Sequence, residues 1–301
     1  MSAAGGGMRE CARCGTGMPR NAAFCPSCGW RNAPTRLGIL DARWWRILGG
    51  GYILFVIVSH VVRWTGILNL VPTELLLGSF LVPVSFVYFL YENGTFAQMP
   101  ATAVAGAFVL GGVLGVSAAG ILEAGFGQVV LVGFIEEAAK ILGVIWWLGS
   151  AELRGEGGGI VLGAAAGMGF SALETMGYGL SSLLTPNGFD PSSMVSELMA
   201  RGVLSPLGHG TWTAILAGTM WREKAAGRSP FGRPVLKAYV TVAVLHGLWD
   251  LADSSPALSR LSIHLPFVQL PVSSLLIGGV GLYILRGMVL RSRRGPDPVA
   301  A

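Results

Sequence analysis

Phe134-Ile135-Glu136-Glu137-Ala138-Ala139-Lys140 places three ionisable side chains in the middle of an apolar stretch, 126–149, that is long enough to cross a bilayer. A charge facing lipid at the centre of a membrane helix costs about 2.5 to 3.5 kcal/mol on insertion scales, so these groups have to turn inward and find partners. Glu136 and Lys140 are four residues apart, share a helical face and can neutralise each other. Glu137 points about 100° away and is free to serve a different partner.

Seven further apolar runs flank this one, at 46–63, 70–91, 102–122, 158–183, 199–220, 235–253 and 266–288, which makes eight expected spans. The composition agrees: 52% of the 301 residues are hydrophobic, 12% are charged and the mean hydropathy is +0.61. A soluble domain carries roughly a quarter charged residues. The first 40 residues are polar, Gly-rich and Cys-bearing, with no signal-peptide core, so the first span is expected to be a true helix. The net charge of +5 is distributed unevenly. If the N-terminus is cytoplasmic, only Arg63, Arg201 and Arg260 fall outside, Lys140 lies within a span, and every other Lys and Arg falls inside, including the cluster Arg222, Lys224, Arg228, Arg233 and Lys237. An even number of helices returns the basic C-terminus to the same side.

Ahead of the spans, Cys11-Ala-Arg-Cys14-Gly and Cys25-Pro-Ser-Cys28-Gly form two CxxC pairs ten residues apart. Four thiolates at this spacing complete the closed tetrahedral shell of structural zinc, and Gly15 and Gly29 permit the positive-φ turn that follows each knuckle. Two disulfides would use the same residues, but a reducing cytosolic compartment favours metal. A closed shell offers no position for a substrate, which points to a structural role and a protein partner. The scattered Arg9, Arg13, Arg20 and Arg31 read as a solvated face rather than a nucleic-acid surface. The expected organisation is a tail at 1–8, a zinc ribbon at 9–33, a linker at 34–45 with the interfacial anchor Arg43-Trp44-Trp45-Arg46, a transmembrane domain at 46–290, and a basic cytosolic tail at 291–301. The fold class is all-α: a polytopic transmembrane bundle of about eight helices carrying a small N-terminal zinc ribbon.

The first three spans read as scaffold, with Gly111, Gly112, Gly115 and Ala118 allowing close approach. Beyond residue 130 the polar groups recur in mid-span: Glu174 after Phe170, His209 in Pro206-Leu207-Gly208-His209-Gly210-Thr211-Trp212, and His246 four residues before Asp250. Pro206 and its glycines loosen the sixth helix. Counted from the outer ends of their spans, Glu136, Glu174 and His209 lie about ten residues in, roughly 15 Å at 1.5 Å per residue. His246 and Asp250 are shallower, and all five form one polar layer in the outer half of the bilayer.

Two imidazoles with carboxylates suit a hydrolytic zinc site that keeps a position open for water, with a further Glu as general base. Glu174, His209 and His246 are the candidate ligands, and Asp250 is a further ligand or a supporting partner. The Glu136-Glu137 pair supplies the base, and Lys140 holds one carboxylate ionised or meets the oxyanion. The same groups on an ion pathway would serve a proton or divalent-metal transporter, and a non-enzymatic scaffold working through its ribbon is the third reading.

Glu136-Glu137-x-x-Lys140, Phe170-x-x-x-Glu174, Pro206-x-x-His209-x-x-Trp212-Thr213 and His246-x-x-x-Asp250, in this order over 130–255, resemble the motifs of the PrsW family of intramembrane proteases. That family is related to the CAAX-processing and bacteriocin-processing superfamily. The resemblance implies a peptidase in a bacterial plasma membrane that cuts a membrane-anchored protein, such as an anti-sigma factor, outside the membrane. The related superfamily has also been read as using a Glu-activated water without a metal.

Overall fold

The computed structural model describes residues 8–11, 15–19, 43–92, 100–126, 129–149, 155–265 and 268–293. Cys14, Cys25 and Cys28, most of the linker at 34–45 and most of the tail at 291–301 lie outside them. Of the ribbon region, β1 (Met8–Glu10) pairs antiparallel with β2 (Gly17–Pro19) in the register Arg9 to Met18. Cys11 is buried at the end of β1, its N–H donates to the Thr16 carbonyl, and Gly15 turns the chain with a φ of 71°.

The described membrane region is mainly helical, with two short β-hairpins between helices. Helix α1 (Trp44–Thr65) ends on Gly66, whose φ of 68° lets its N–H close on the Val62 carbonyl. Only Phe55, Ser59 and Val62 of α1 are buried, while Ile53, Leu54, Val56 and Ile57 stay exposed. An apolar surface of that kind on a single helix belongs against lipid. There follow α2 (Val71–Glu92), α3 (Ala101–Phe126), α4 (Val129–Ile145) and α5 (Glu156–Leu183). The short hairpin of β3 (Leu184–Thr185) and β4 (Gly188–Phe189) leads to α6 (Pro191–Leu204), capped by Asp190, whose carboxylate accepts from the N–H groups of Ser192 and Ser193. Beyond a π-helical turn, Pro206–Gly210, run α7 (Thr211–Ala225), α8 (Arg233–Ser254) and the single turn α9 (Pro256–Ser259). The hairpin of β5 (Ser262–Leu265) and β6 (Val268–Pro271) then delivers α10 (Val272–Arg293).

Helix α5 is the axis. From Gly159 to Ala172 every residue is buried, and the helix packs against α2, α3, α6 and α7. Much of the contact is backbone on backbone. A Cβ on Gly169 would strike the Phe108 carbonyl of α3, and one on Gly163 the Thr213 carbonyl of α7. Helix α4 lies between α3 and α8, and α10 packs on α7 and α8.

Among the described residues, six helical segments are long and apolar enough to cross a membrane: α1, 68–92, α3, α5, α8 and α10. The fourth and sixth of the eight expected spans fall short of that standard. Helix α4 has only 17 residues and carries Glu136, Glu137 and Lys140, while 199–220 is divided among α6, the π turn and α7. Helix α7 is buried continuously from Thr211 to Trp221, so its neighbours are protein rather than lipid and its sequence is released from the need to be uniformly apolar. The protein is an integral membrane protein with a helical bundle.

Candidate active site

The polar layer inferred from spacing becomes a connected cluster between α4, α5, the π turn and α8. Gly133 brings α4 against α8, where a Cβ would meet the Ala243 carbonyl, and Gly167 brings α5 against the His209 carbonyl. The turn that carries His209 is wide because Pro206 has no N–H to continue an α-helical ladder. Gly210 N–H reaches back five residues to the Ser205 carbonyl, and Ser205 Oγ lies 2.6 Å from Ser171 Oγ on α5.

Lys140 is fully buried and occupies the centre. Its ammonium donates to Glu137 Oε1 at 2.8 Å and to Glu136 Oε2 at 3.0 Å, and meets His209 Nδ1 at 2.8 Å. These are three directions for three protons, and the Phe170 ring lies below at 4.4 Å. Glu137, with no exposure, accepts in addition from His246 Nδ1 at 3.0 Å and Thr213 Oγ1 at 3.3 Å. The expected separation of the two glutamates by helix geometry is not found: both pair with Lys140, and both lie against His246, Glu137 at Nδ1 and Glu136 Oε2 3.5 Å from Nε2.

The partners assign the tautomers. Lys140 can only donate, so His209 Nδ1 accepts and Nε2 carries the ring proton, lying 3.3 Å from Glu174 Oε2. His246 Nδ1 faces a carboxylate oxygen and donates to it. In the neutral imidazole its lone pair is then on Nε2, 3.5 Å from Glu136 Oε2 and 3.6 Å from Asp250 Oδ2. Trp212 packs on the His246 ring with centroids 4.8 Å apart, and Trp249 closes on Trp212.

The structure gathers the candidates into one place and groups them differently from the sequence reading. Glu136, His209 and His246 have donor atoms that all lie within 4.8 Å of one another, the one group among the described residues with the geometry to hold a metal ion. Glu174 flanks His209, and Asp250 flanks His246. Arg201, counted by position as an outside cation, is part of the cluster: its guanidinium pairs with Glu174 Oε2 at 2.7 Å and lies 3.9 Å over the Tyr178 ring. Nothing in the linear sequence separates Arg201 from an ordinary interfacial arginine. Thr213 and Trp212 were visible only as members of a motif.

The donor set fits a divalent ion on two grounds. The Glu137–His246 hydrogen bond presents a lone pair at Nε2, the carboxylate–imidazole arrangement that accompanies liganding histidines, and Asp250 Oδ2 beside it is buried with no hydrogen-bond partner among the described residues. The charge sum agrees. Four contacting carboxylates, Glu136, Glu137, Glu174 and Asp250, face two permanent cations, Lys140 and Arg201, so with both imidazoles neutral two negative charges are left in a low-dielectric interior.

Residues 72–276 match the family described as PrsW family intramembrane metalloproteases. The chain belongs to that family. No curated protein and no solved structure matches the chain. Membership makes the chain an intramembrane metalloprotease and sets aside the transporter and scaffold readings. The match spans α2 to the start of α10, including every helix of the cluster.

Proposed function

We propose that the chain hydrolyses a peptide bond of a membrane-anchored protein near the outer face of the bacterial plasma membrane, with an anti-sigma-factor-like protein as the substrate class the family resemblance implies. The observation that carries the reading is the His246 imidazole, held through Nδ1 by buried Glu137 so that Nε2 opens toward Glu136 and Asp250, with His209 within reach. Glu136, His209 and His246 would hold the metal, most simply zinc, with Asp250 beside His246. When bound, the ion would supply Lewis acidity toward the scissile carbonyl and toward water. Lys140 occupies the Nδ1 lone pair of His209, so His209 would ligate only once the ammonium yields that lone pair or the Nε2 proton is lost.

Glu174 takes the proton of the attacking water and passes it to the departing amine nitrogen as the C–N bond breaks. Arg201 positions Glu174, and Glu137 positions His246. Lys140, with three partners, serves the two glutamates and His209 rather than an oxyanion. The expected eight crossings, with α4 and the α6–α7 unit as inner spans and both termini cytoplasmic, place the polar layer toward the outer leaflet. At the N-terminus, the hairpin that ends on buried Cys11 and turns at Gly15 supports a structural zinc ribbon of Cys11, Cys14, Cys25 and Cys28 that recruits a cytosolic protein.

The test is a metal count paired with cleavage of a membrane-anchored reporter carrying an extracytoplasmic segment. Wild type is expected to hold two zinc ions, and one should remain both in the four-Cys-to-Ser variant and in H209A/H246A. E174Q should keep both ions and lose cleavage, whereas E136Q should lose one ion together with cleavage. Cleavage by H246A, or by E136Q with its metal intact, would overturn the assignment.

A further inference from the structure

At the opposite end of the bundle from the peptidase cluster, the last turns of α7 and α10 and the first turns of α8 surround a cavity of about 610 Å³. Its inner wall is apolar, made by Ile215, Ala238, Ile284 and Met288, with the hydroxyls of Thr219 and Thr241 between them. Its polar mouth carries Arg222, Arg286 and Arg291, and no carboxylate lines it. Ile215 and Arg222 are seven residues apart on α7, so the apolar part extends about 10 Å along the helices from the arginines.

The arginines belong to an ion network that does not balance. Glu156, at the start of α5, is buried behind the cavity and shared by Arg222 and Arg291 at 3.3 Å each. Glu223 pairs with Arg222 at 3.2 Å and with Arg228 at 2.7 Å. Arg286 takes part in none of the described ion pairs. Four arginines, Arg222, Arg228, Arg286 and Arg291, therefore face two glutamates, leaving a net charge of +2 where the apolar wall ends.

The surroundings identify what reaches this mouth. Tyr283 at the rim is 79% exposed, and Leu236, Val240 and Leu290 on the flanking faces of α8 and α10 are also exposed. These are lipid-facing side chains, so the groove opens sideways into the bilayer at headgroup level. We propose that it is a binding site for an anionic phospholipid of the leaflet facing the basic helix ends, with the phosphate on Arg286 and Arg291 and an acyl chain along Ile215, Ile284 and Met288. Basic pockets between membrane helices suit such headgroups. This site is separate from the peptidase centre and goes beyond the peptidase reading. Bound lipid would join α7, which follows the His209 turn, to α8, which carries His246.

The full-length protein in detergent is equilibrated with phosphatidylglycerol or phosphatidylcholine, and bound lipid is counted by native mass spectrometry. Wild type should retain phosphatidylglycerol at least tenfold better than phosphatidylcholine. R286Q should lower that preference about fivefold, the effect of one basic side chain at an anionic headgroup, and R286Q/R291Q should reduce it to about twofold or less. R233Q/K237Q removes as much charge from the same end at residues that do not line the cavity, and should keep the preference within about twofold. Because Arg286 supports no described ion pair, R286Q alone remains informative if the double variant does not fold. No preference in wild type, an unchanged preference in R286Q, an equal loss in R233Q/K237Q, or displacement of the lipid by millimolar inorganic phosphate would each overturn the proposal.

Discussion

Glu137→Gln separates an orienting carboxylate from a general base. The carboxylate receives three donors, Lys140 at 2.8 Å, His246 Nδ1 at 3.0 Å and Thr213 at 3.3 Å, and has no contact with solvent. Lys140 and His246 share Oε1 and Thr213 meets Oε2, so an amide can keep its oxygen toward the first two and turn its N–H to the Thr213 hydroxyl, which accepts; what is lost is the negative charge. Lys140 keeps the charged Glu136 and His209, so the loss falls on His246, whose Nδ1–H is left donating to a neutral oxygen. Hydrogen bonds to a charged group contribute about 1.5 to 3 kcal/mol each, and removing the carboxylate behind a liganding histidine typically weakens metal binding about 10- to 100-fold. We expect Zn²⁺ affinity to fall by that factor, measured by calorimetric titration in detergent in a background with Cys11, Cys14, Cys25 and Cys28 changed to Ser. Excess Zn²⁺ should restore part of the cleavage. If Glu137→Gln binds zinc within about twofold of its parent yet cleaves nothing at saturating metal, the reasoning fails and Glu137 is the base.

Lys140→Met should lower the thermal midpoint strongly, since leaving Glu136 and Glu137 buried without their ammonium costs about 3 to 5 kcal/mol; adding Glu136→Gln should recover part of it, and an unchanged midpoint for the single variant would contradict the central place given to Lys140. Gly169→Ala forces a methyl into the Phe108 carbonyl of α3 and should cost about 1 to 3 kcal/mol. Gly177→Ala, on the same helix with open space around it, should be neutral or slightly stabilising in the same melt.

The residues of the centre were legible because membrane energetics make them conspicuous: Glu136, Lys140, Glu174, His209 and His246 have no reason to sit in mid-span unless they meet one another. Their division of labour was not legible. That Glu136 rather than Glu174 lies within reach of both imidazoles depends on the rotation of α4 against α8, set by the contact of Gly133 with the Ala243 backbone. Arg201 escaped because its place in the cluster depends on the tilt of α6 and the wide turn after it, neither of which has a periodic signature. The same turn explains the sixth span: hydropathy joined 199–220 into one helix, while Pro206 and the π geometry divide it. Helix α4 is short and charged because it faces protein partners, which is the circumstance in which a hydropathy criterion loses its physical basis.

The contact of α5 with its neighbours through main chain has a mechanical consequence. Side chains absorb small displacements by changing rotamer, and a seam of Gly163, Gly167 and Gly169 against carbonyl oxygens has no rotamers to change. Glu174 and the turn bearing His209 are thus fixed to a stiff shaft, and a polypeptide entering from the bilayer has to be admitted by elements that close through side chains. Helix α1 buries only Phe55, Ser59 and Val62 and is otherwise held at its start by Glu92 and Phe89 of α2, a fastening of that kind. The stiffness that keeps the donor atoms in register also decides which wall can open.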